Sequence, residues 1–216
     1  MTIIRCLCLS VGTVVALITT ALGQEAPRER TPLEVARVLA ARYPADPIMS
    51  YIPALSWSGS LRLSALTGEQ QWREKAMKEM EGLFKGQPPA IAEPYRLTSL
   101  AGALAFFDAA ILAGDQDARA LFWKTAAFIM IDATDEGFRF STHWTDDMFM
   151  LSSVLSRAGA APWNPRLGTM LTTYSNKLQR PDGLFNHAPT APFAWGRGNG
   201  FALLGLTEAL TLLPES

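Results

Sequence analysis

The sequence has few of the residues that hold metal ions or form covalent cross-links. It contains two cysteines and two histidines in 216 residues, and both cysteines, Cys6 and Cys8, lie in an apolar N-terminal segment. Beyond that segment the chain has no thiol for a disulfide, a metal site or nucleophilic catalysis. Because His143 and His187 are the only imidazole ligands, we expect no zinc site.

An excess of charge of one sign is also absent. The chain has 19 Lys and Arg residues against 20 Asp and Glu residues, a formal net charge of -1, and no run of basic residues. Such a chain has no long-range positive field that would attract a polymer of phosphates. The sequence therefore argues against a nucleic-acid partner.

The first residues have the pattern of an export signal. Arg5 supplies a positive charge, an apolar run extends from Leu9 to Leu22, and small residues lie at the cleavage position, Ala21–Gly23. A retained membrane anchor is the alternative, because the run is close to the length that spans a bilayer. We expect a periplasmic or secreted protein without membrane contact after signal removal, with a signal peptide at 1–23, a polar linker at 24–31 and a folded domain at 32–216.

Helical periodicity dominates the rest of the chain. Thr31-Pro32 is a typical cap and first-turn pair, and no segment alternates convincingly with the period of two expected of half-buried strands. Gly68, Gly114 and Gly159 each follow an apolar run, as C-terminal helix caps do, and their spacing of about 45 residues indicates a repeated unit. The predicted helices span residues 32–43, 55–67, 69–85, 97–113, 116–132, 147–158, 165–179 and 200–213.

The predicted helices alternate between two compositions. Those at 55–67, 97–113 and 147–158 are rich in Ala, Leu, Ser and Gly, which suits an inner layer that packs on both sides. The amphipathic helices between them suit an outer layer with one solvated face. This alternation describes either an open solenoid or a closed toroid of hairpins, and composition does not separate the two. We favour the toroid, because the unusual residues precede inner helices, where a ring would gather them at one mouth.

Three polar strings carry the candidate site. Each places an aromatic ring, which can stack on the apolar face of a sugar, close to a polar group that can fix a hydroxyl or carboxylate. In the first string, Asp146 and Asp147 open a helix, whose dipole favours their charged form. Their neighbours Trp144 and Phe149 can instead remove enough water for a carboxyl to serve as an acid. The strings are HWTDDMFM at 143–150, DGLFNH at 182–187 and WGRGNG at 195–200.

Structural roles remain open for the same residues. Asp146 or Asp147 can cap a helix by accepting backbone N–H groups, and Arg197 can be the partner of a structural carboxylate. The third string can be a glycine-rich connection between helices. His143 fits a surface histidine better than a ligand.

The three strings together resemble motifs of the unsaturated uronyl hydrolases of glycoside hydrolase families 88 and 105. The resemblance rests on W-x-D-D-M-F-M, D-G-L-F-x-H and W-G-R-G-N-G, in this order and separated by helical hairpins, over about residues 55–213. It implies an all-α fold, the (α/α)6 toroid of six hairpins, and chemistry without a cofactor. It also implies an oligosaccharide partner with a 4,5-unsaturated uronic acid at its non-reducing end, which these enzymes release by hydrating the double bond.

The resemblance also assigns roles to individual residues. Asp146 corresponds to the catalytic acid, which protonates the vinyl ether and then helps to activate water. His187, Trp195 and Arg197 line the subsite for the unsaturated uronate, with Arg197 contacting the carboxylate and Trp195 stacking on the ring. The further binding residues are Trp144, Asp147, which orients the acid, and Asn199, which shapes the glycine-rich string.

Two features depart from the family. Many relatives have a second Asp before the helix at 97–113, where this chain reads Tyr95-Arg96-Leu97-Thr98, and Glu93 is only a loose substitute. About eight helices are predicted where the toroid has twelve, so we expect an incomplete toroid: a fragment, or an open arc that closes by association. Three functions remain open: an exported hydrolase, an inactive carbohydrate-binding fragment of one, and a helical-repeat scaffold that binds a protein.

Overall fold

The computed structural model describes residues 29–133, 138–159 and 164–212, so the predicted signal peptide lies outside the described residues. Helices predominate, which confirms the all-α class. No helix within the described ranges combines the length and the hydropathy needed to cross a bilayer. The helices are α1 Pro32–Arg42, α2 Tyr51–Thr67, α3 Gln70–Phe84, α4 Leu97–Leu100, α5 Leu104–Leu112, α6 Gln116–Met130, α7 Thr145–Ala158, α8 Asn164–Leu178 and α9 Gly196–Leu212.

Several helix ends lie at the predicted caps, but α2 begins at Tyr51 and α9 at Gly196, each four residues before the predicted start. The Thr31 side chain accepts from the backbone N–H of Glu34 at 3.2 Å, and the Glu34 carboxylate accepts from the Thr31 N–H at 2.9 Å, which is a capping box. Gly68 and Gly159 end α2 and α7 with φ of 77° and 59°. Gly114 adopts φ of 72° just beyond α5. Glycine takes this left-handed conformation at the lowest cost, so the sequence determines where these helices end.

The two predicted compositions correspond to different degrees of burial. Every residue of α7 except Asp146 is buried, whereas α3 buries only Ala76, Met80 and Leu83. The helices α2, α5, α7 and α9 contact one another in chain order, and α3, α6 and α8 pack against α2, α5 and α7. The chain therefore forms a row of helical hairpins with buried inner helices and half-exposed outer ones.

Both ends of this row keep apolar surface. Ile52 and Leu66 of α2 are 64% and 80% exposed, and Leu203 and Leu210 of α9 are 66% and 85% exposed. An open groove lined by apolar residues of α1 and α2 adjoins the first of these surfaces.

One predicted helix is interrupted. The segment predicted as a single helix at 97–113 divides at a 3-10 turn, Ala101–Ala103, into α4 and α5. A side chain at Gly102 would lie 3.1 Å from the Met49 side chain and from the Ser50 carbonyl oxygen. The interruption occurs where this close contact with the segment before α2 forms, and local helix propensity does not report such a contact.

The structure also contains a β-hairpin, which no alternating segment of the sequence marked. Two short strands, β1 Asn186–Ala188 and β2 Ala191–Ala194, pair antiparallel, and they are too short to show a period of two. The third string is also not a loop, because α9 begins at Gly196 and the Asn199 N–H donates to the Trp195 carbonyl at 2.9 Å. The hairpin and the first turn of α9 are the elements that position the site.

Candidate functional site

The fold brings the three polar strings together where α7 and α9 begin. Trp144 and Asp146 come from the start of α7, His187 from β1, and Trp195 and Arg197 from the start of α9. The His187 ring centroid lies 4.8 Å from that of Trp144 and 5.0 Å from that of Trp195. Residues at the start of α7 and residues about 40 to 50 positions later therefore form one cluster, which we call the His187 cluster.

Asp146 is the acidic member of the His187 cluster. Its side chain is 15% exposed, and Oδ2 lies 3.6 Å from Nδ1 of His187. That oxygen is shielded from solvent and has no hydrogen-bond partner among the described residues. A buried polar atom without a partner costs free energy and calls for an explanation. No hydrogen bond commits this oxygen to the fold. Three other shielded atoms of α7 also lack a partner among the described residues: Ser152 Oγ, Ser156 Oγ and Arg157 Nε.

His187 is held at the centre by close packing. It is buried, and its Nδ1 lies 3.4 Å from the Thr145 hydroxyl oxygen. A Cβ at Gly198 would stand 2.8 Å from that hydroxyl and 3.4 Å from the imidazole nitrogen. Glycine at 198 therefore lets α9 approach α7 and the imidazole closely, which explains one glycine of the WGRGNG string.

Arg197 and Trp195 pack on each other. The Arg197 guanidinium carbon lies 4.0 Å from the Trp195 ring centroid, a cation–π geometry. Arg197 is exposed and forms no ion pair with a carboxylate in the described ranges, which removes its alternative role as a structural partner. Because Arg197 covers one face of Trp195, the 45% exposed ring of Trp144 offers the more open stacking surface.

In contrast to Asp146, Asp147 accepts hydrogen bonds at both of its carboxylate oxygens. Its Oδ2 accepts from the backbone N–H groups of Thr142 and His143 at 2.7 and 2.8 Å, and from the Tyr174 hydroxyl at 2.8 Å. Its Oδ1 accepts from the Thr142 hydroxyl at 2.9 Å. Burial raises the pKa of Asp147, and these hydrogen bonds oppose the rise. Asp147 thus holds the turn in which the exposed His143 takes φ of 63°, directly before Trp144.

Asn199 ties the start of α9 to the segment before β1. Its side-chain oxygen accepts from the Phe185 N–H at 2.8 Å, and its amide donates to the carbonyls of Phe185 and Trp195 at 3.0 and 3.1 Å. These bonds hold β1, and therefore His187, against the first turn of α9. The shaping role assigned to Asn199 has a direct geometric basis.

A cavity of about 290 Å³ opens beside Asp146, and sequence reasoning missed most of its wall. Tyr95, Arg96 and Phe140 line it together with Trp144 and the two aspartates. Glu93 borders a different depression, on the other side of Arg96. The sequence offered one signal, the Tyr95-Arg96 pair, which stands where an aspartate was expected.

The first turn of α2 also borders the site. Burial raises the pKa of the Tyr51 phenol, the charge of Asp146 acts in the same direction, and Arg197 opposes both. Tyr51 packs edge-on against Phe201 of α9 at 5.7 Å between ring centroids. No local pattern in the sequence marked Tyr51 as a neighbour of the site.

The described ranges contain no group of three or more His, Cys, Asp or Glu side chains arranged to hold a metal ion. No protein-family model matches the chain, and the comparison with curated proteins gives no significant match.

Proposed function

We propose that this chain is a carbohydrate hydrolase that releases 4,5-unsaturated uronic acid from the non-reducing end of oligosaccharides. The observation that carries the proposal is Asp146, a mostly enclosed carboxyl with one unsatisfied oxygen, 3.6 Å from an imidazole. An acid catalyst must reach the substrate, and its carboxyl must not be committed to other partners. Asp146 lines the cavity, and its shielded Oδ2 is not committed to a hydrogen bond, whereas Asp147 accepts four.

The proposed reaction is hydration of a vinyl ether. Asp146 donates its proton to C4 of the double bond, water adds its hydroxyl to C5, and the proton of that water returns to the carboxylate. The hemiketal at C5 opens to a ketone, which leaves a hemiacetal at C1 that expels the second sugar as an alcohol. One water is consumed and no electrons are exchanged with a partner. The His187 imidazole lies beside the carboxyl that donates and recovers the proton.

The remaining members of the His187 cluster suit the binding of an acidic sugar ring. The Arg197 guanidinium is exposed, fixed over Trp195 at 4.0 Å and not paired with a carboxylate of the described chain. Its planar donors match a carboxylate in a bidentate manner. The exposed ring of Trp144 provides the flat apolar surface that stacks on a pyranose.

A second candidate is carbohydrate binding without turnover. It is favoured by one observation: the other carboxylate that lines the cavity, Asp147, already accepts four hydrogen bonds. If the reaction requires a second free carboxylate, the described residues do not supply it there. The protein-binding scaffold has less support, because the three strings meet in one cluster.

Hydration is tested with unsaturated disaccharides prepared from rhamnogalacturonan or glucuronan by lyases. We expect the protein to bleach the ultraviolet absorbance of the double bond, and Asp146→Asn to slow this about a hundredfold to ten-thousandfold. Asp182→Asn is the matched control, since Asp182 is exposed in the second string and pairs with Arg180 at 2.7 Å. A folded protein that binds these sugars without bleaching them would establish the second candidate instead.

Arg197→Ala tests recognition of the carboxylate. We expect it to weaken binding of uronates about tenfold to a hundredfold, because a charge-assisted hydrogen bond to a partly desolvated anion is lost. Binding of neutral sugars should change far less. Equal losses for acidic and neutral sugars, measured by calorimetry, would reject this role of Arg197.

A further inference from the structure

Asp146 lies between two regions that differ in character. On one side are three other members of the His187 cluster, His187, Trp195 and Arg197, while Trp144 belongs to the cluster and also lines the cavity. On the other is the cavity of about 290 Å³ that Asp146 shares with Arg96 and Tyr95. This volume is at the lower end of small-molecule sites, about 300 Å³, and leaves room for one sugar ring beside the carboxyl.

The wall of this cavity is a fixed aromatic surface. Phe140 stacks on Phe128 with centroids 5.5 Å apart, and Tyr95 packs against Phe128 at 5.0 Å. Tyr95 nevertheless stays 38% exposed. Rings that are held by their neighbours and partly open to solvent can stack on a sugar with little loss of side-chain entropy.

Arg96 gives the cavity a positive charge without a protein partner. Its backbone is fixed, since its carbonyl accepts from the N–H groups of Ser99 and Leu100 at 3.0 Å. Its side chain is exposed, and it forms no ion pair in the part of the chain that the structure describes. Two other arginines of the inner helices are engaged: Arg62 pairs with Asp108 and Arg157 with Glu208.

We propose that this cavity binds the second sugar of the substrate, on the leaving side of the cleaved bond, and that Arg96 selects an anionic group on that sugar. The inference rests on the proposed function, because it places the second sugar relative to Asp146. Carboxylate and sulfate share the required chemistry, a planar or trigonal set of oxygens that a guanidinium can grip. Arg96 is the cationic residue that lines this cavity, so it compensates the charge of Asp147 when an anion binds there.

The test compares three unsaturated disaccharides whose second sugar is a uronic acid, a sulfated sugar or neutral rhamnose. In Arg96→Gln we expect KM for the preferred anionic substrate to rise about tenfold to a hundredfold with kcat nearly unchanged. The change for the neutral disaccharide should be several times smaller. The uronate and sulfate arms show which anion is preferred. Arg119→Gln on α6 is the matched control, since Arg119 is exposed and does not line the cavity.

A binding measurement separates this inference from the proposed reaction. Calorimetry with Asp146→Asn, alone and combined with Arg96→Gln, reports the preference for an anionic second sugar without turnover. If the preference exists and Arg96→Gln removes it while the native protein hydrates nothing, the proposed reaction fails and the Arg96 site stands. If hydration occurs but Arg96→Gln affects all three substrates equally, the Arg96 site is wrong and the reaction stands. Failure of all three disaccharides to bind overturns both.

Discussion

The two ends of α7 hold charged groups in opposite ways. At its C-terminal end, Arg157 donates to both carboxylate oxygens of Glu208 at 2.5 and 3.0 Å, while its shielded Nε has no partner among the described residues. On neighbouring α5, Asp108 accepts twice from Arg62 at 3.0 Å. At the N-terminal end, Asp146 faces an imidazole at 3.6 Å and keeps one oxygen without a hydrogen bond.

This difference separates two carboxylates that are held in two-point ion pairs from one that is not. Two-point pairing satisfies Glu208 and Asp108, as expected of structural ion pairs. Asp146 is also shielded from solvent, but its Oδ2 has neither a hydrogen bond nor a Lys or Arg partner among the described residues. Buried polar groups that lack such partners are concentrated at functional sites. The comparison predicts that the two ends of α7 respond differently to loss of a carboxylate.

Glu208→Ala should have the largest effect on stability. It leaves the Arg157 guanidinium, whose side chain is 5% exposed, without its counter-charge, and we expect a loss of about 3–5 kcal/mol in the free energy of unfolding. Asp146→Asn should change that free energy by less than about 1 kcal/mol, since Oδ2 has no hydrogen bond to lose. Urea unfolding measures the free energy of unfolding of both variants. Equal losses in Glu208→Ala and Asp146→Asn would contradict the proposed difference between the two ends of α7.

An apolar double replacement provides the control. Arg157→Met combined with Glu208→Leu removes both charges and keeps comparable volume, so it should recover most of the stability that Glu208→Ala loses. If the double variant is as unstable as the single one, lost packing rather than an uncompensated charge explains the effect.

The sequence predicted helix ends more accurately than contacts between helices. Thr31, Gly68 and Gly159 act through local backbone geometry, which a few neighbouring residues specify. The 3-10 turn at Ala101–Ala103 depends on contact with residues about 50 positions away. The three glycines of WGRGNG disfavour a helix locally, yet α9 begins there because packing on α7 outweighs propensity.

The candidate site divides in the same way. Asp146, His187 and Arg197 could be found because each lies in a short string that combines aromatic and polar residues. Arg96 enters the site through packing of a segment about 50 positions from Asp146, and Phe140 lies outside the three strings, six residues before Asp146. Patterns of one or two helical turns carry no information about such contacts.

Two glycines of α9, Gly198 and Gly205, lie close to α7, and we expect their replacement to have smaller effects on stability than Glu208→Ala. A Cβ at Gly205 would lie 2.2 Å from the Met148 carbonyl oxygen, so Gly205→Ala must push α7 and α9 apart and should cost about 1–3 kcal/mol. At Gly198 the nearest atom is the Thr145 hydroxyl oxygen at 2.8 Å. Gly198→Ala should therefore disturb His187 and reduce disaccharide hydration with a smaller loss of stability.

Gly200→Ala is the control for both glycine variants. Nothing lies within 4 Å of a Cβ at that position, so the helix propensity of alanine should raise stability by up to about 1 kcal/mol. Thermal unfolding and the bleaching assay measure the three variants together. A loss at Gly200→Ala as large as that at Gly205→Ala would show that close approach to α7 is not the cause.

Tyr174→Phe tests the contrast between Asp146 and its neighbour Asp147, and its effect should depend on pH. Burial raises the folded-state pKa of Asp147, so from about pH 4 upward the folded state binds more protons than the unfolded state. The contribution of this carboxyl to stability therefore falls as pH rises through that window. The Tyr174 hydroxyl opposes the fall by donating to the carboxylate at 2.8 Å.

Without this hydroxyl, the folded-state pKa of Asp147 rises further. The pH range in which the folded state binds more protons than the unfolded state therefore becomes wider. Tyr174→Phe should thus cost about 1 kcal/mol in acid, where the carboxyl is protonated in both states, and about 1.5–3 kcal/mol at neutral pH. Urea unfolding across pH 3 to 8 measures the difference. In an Asp147→Asn background the cost should lose its pH dependence, because no titrating group remains opposite the hydroxyl. If Tyr174→Phe still costs more stability at higher pH in the Asp147→Asn background, a titrating group other than Asp147 is responsible. The proposed difference between Asp146 and Asp147 would then lose its support.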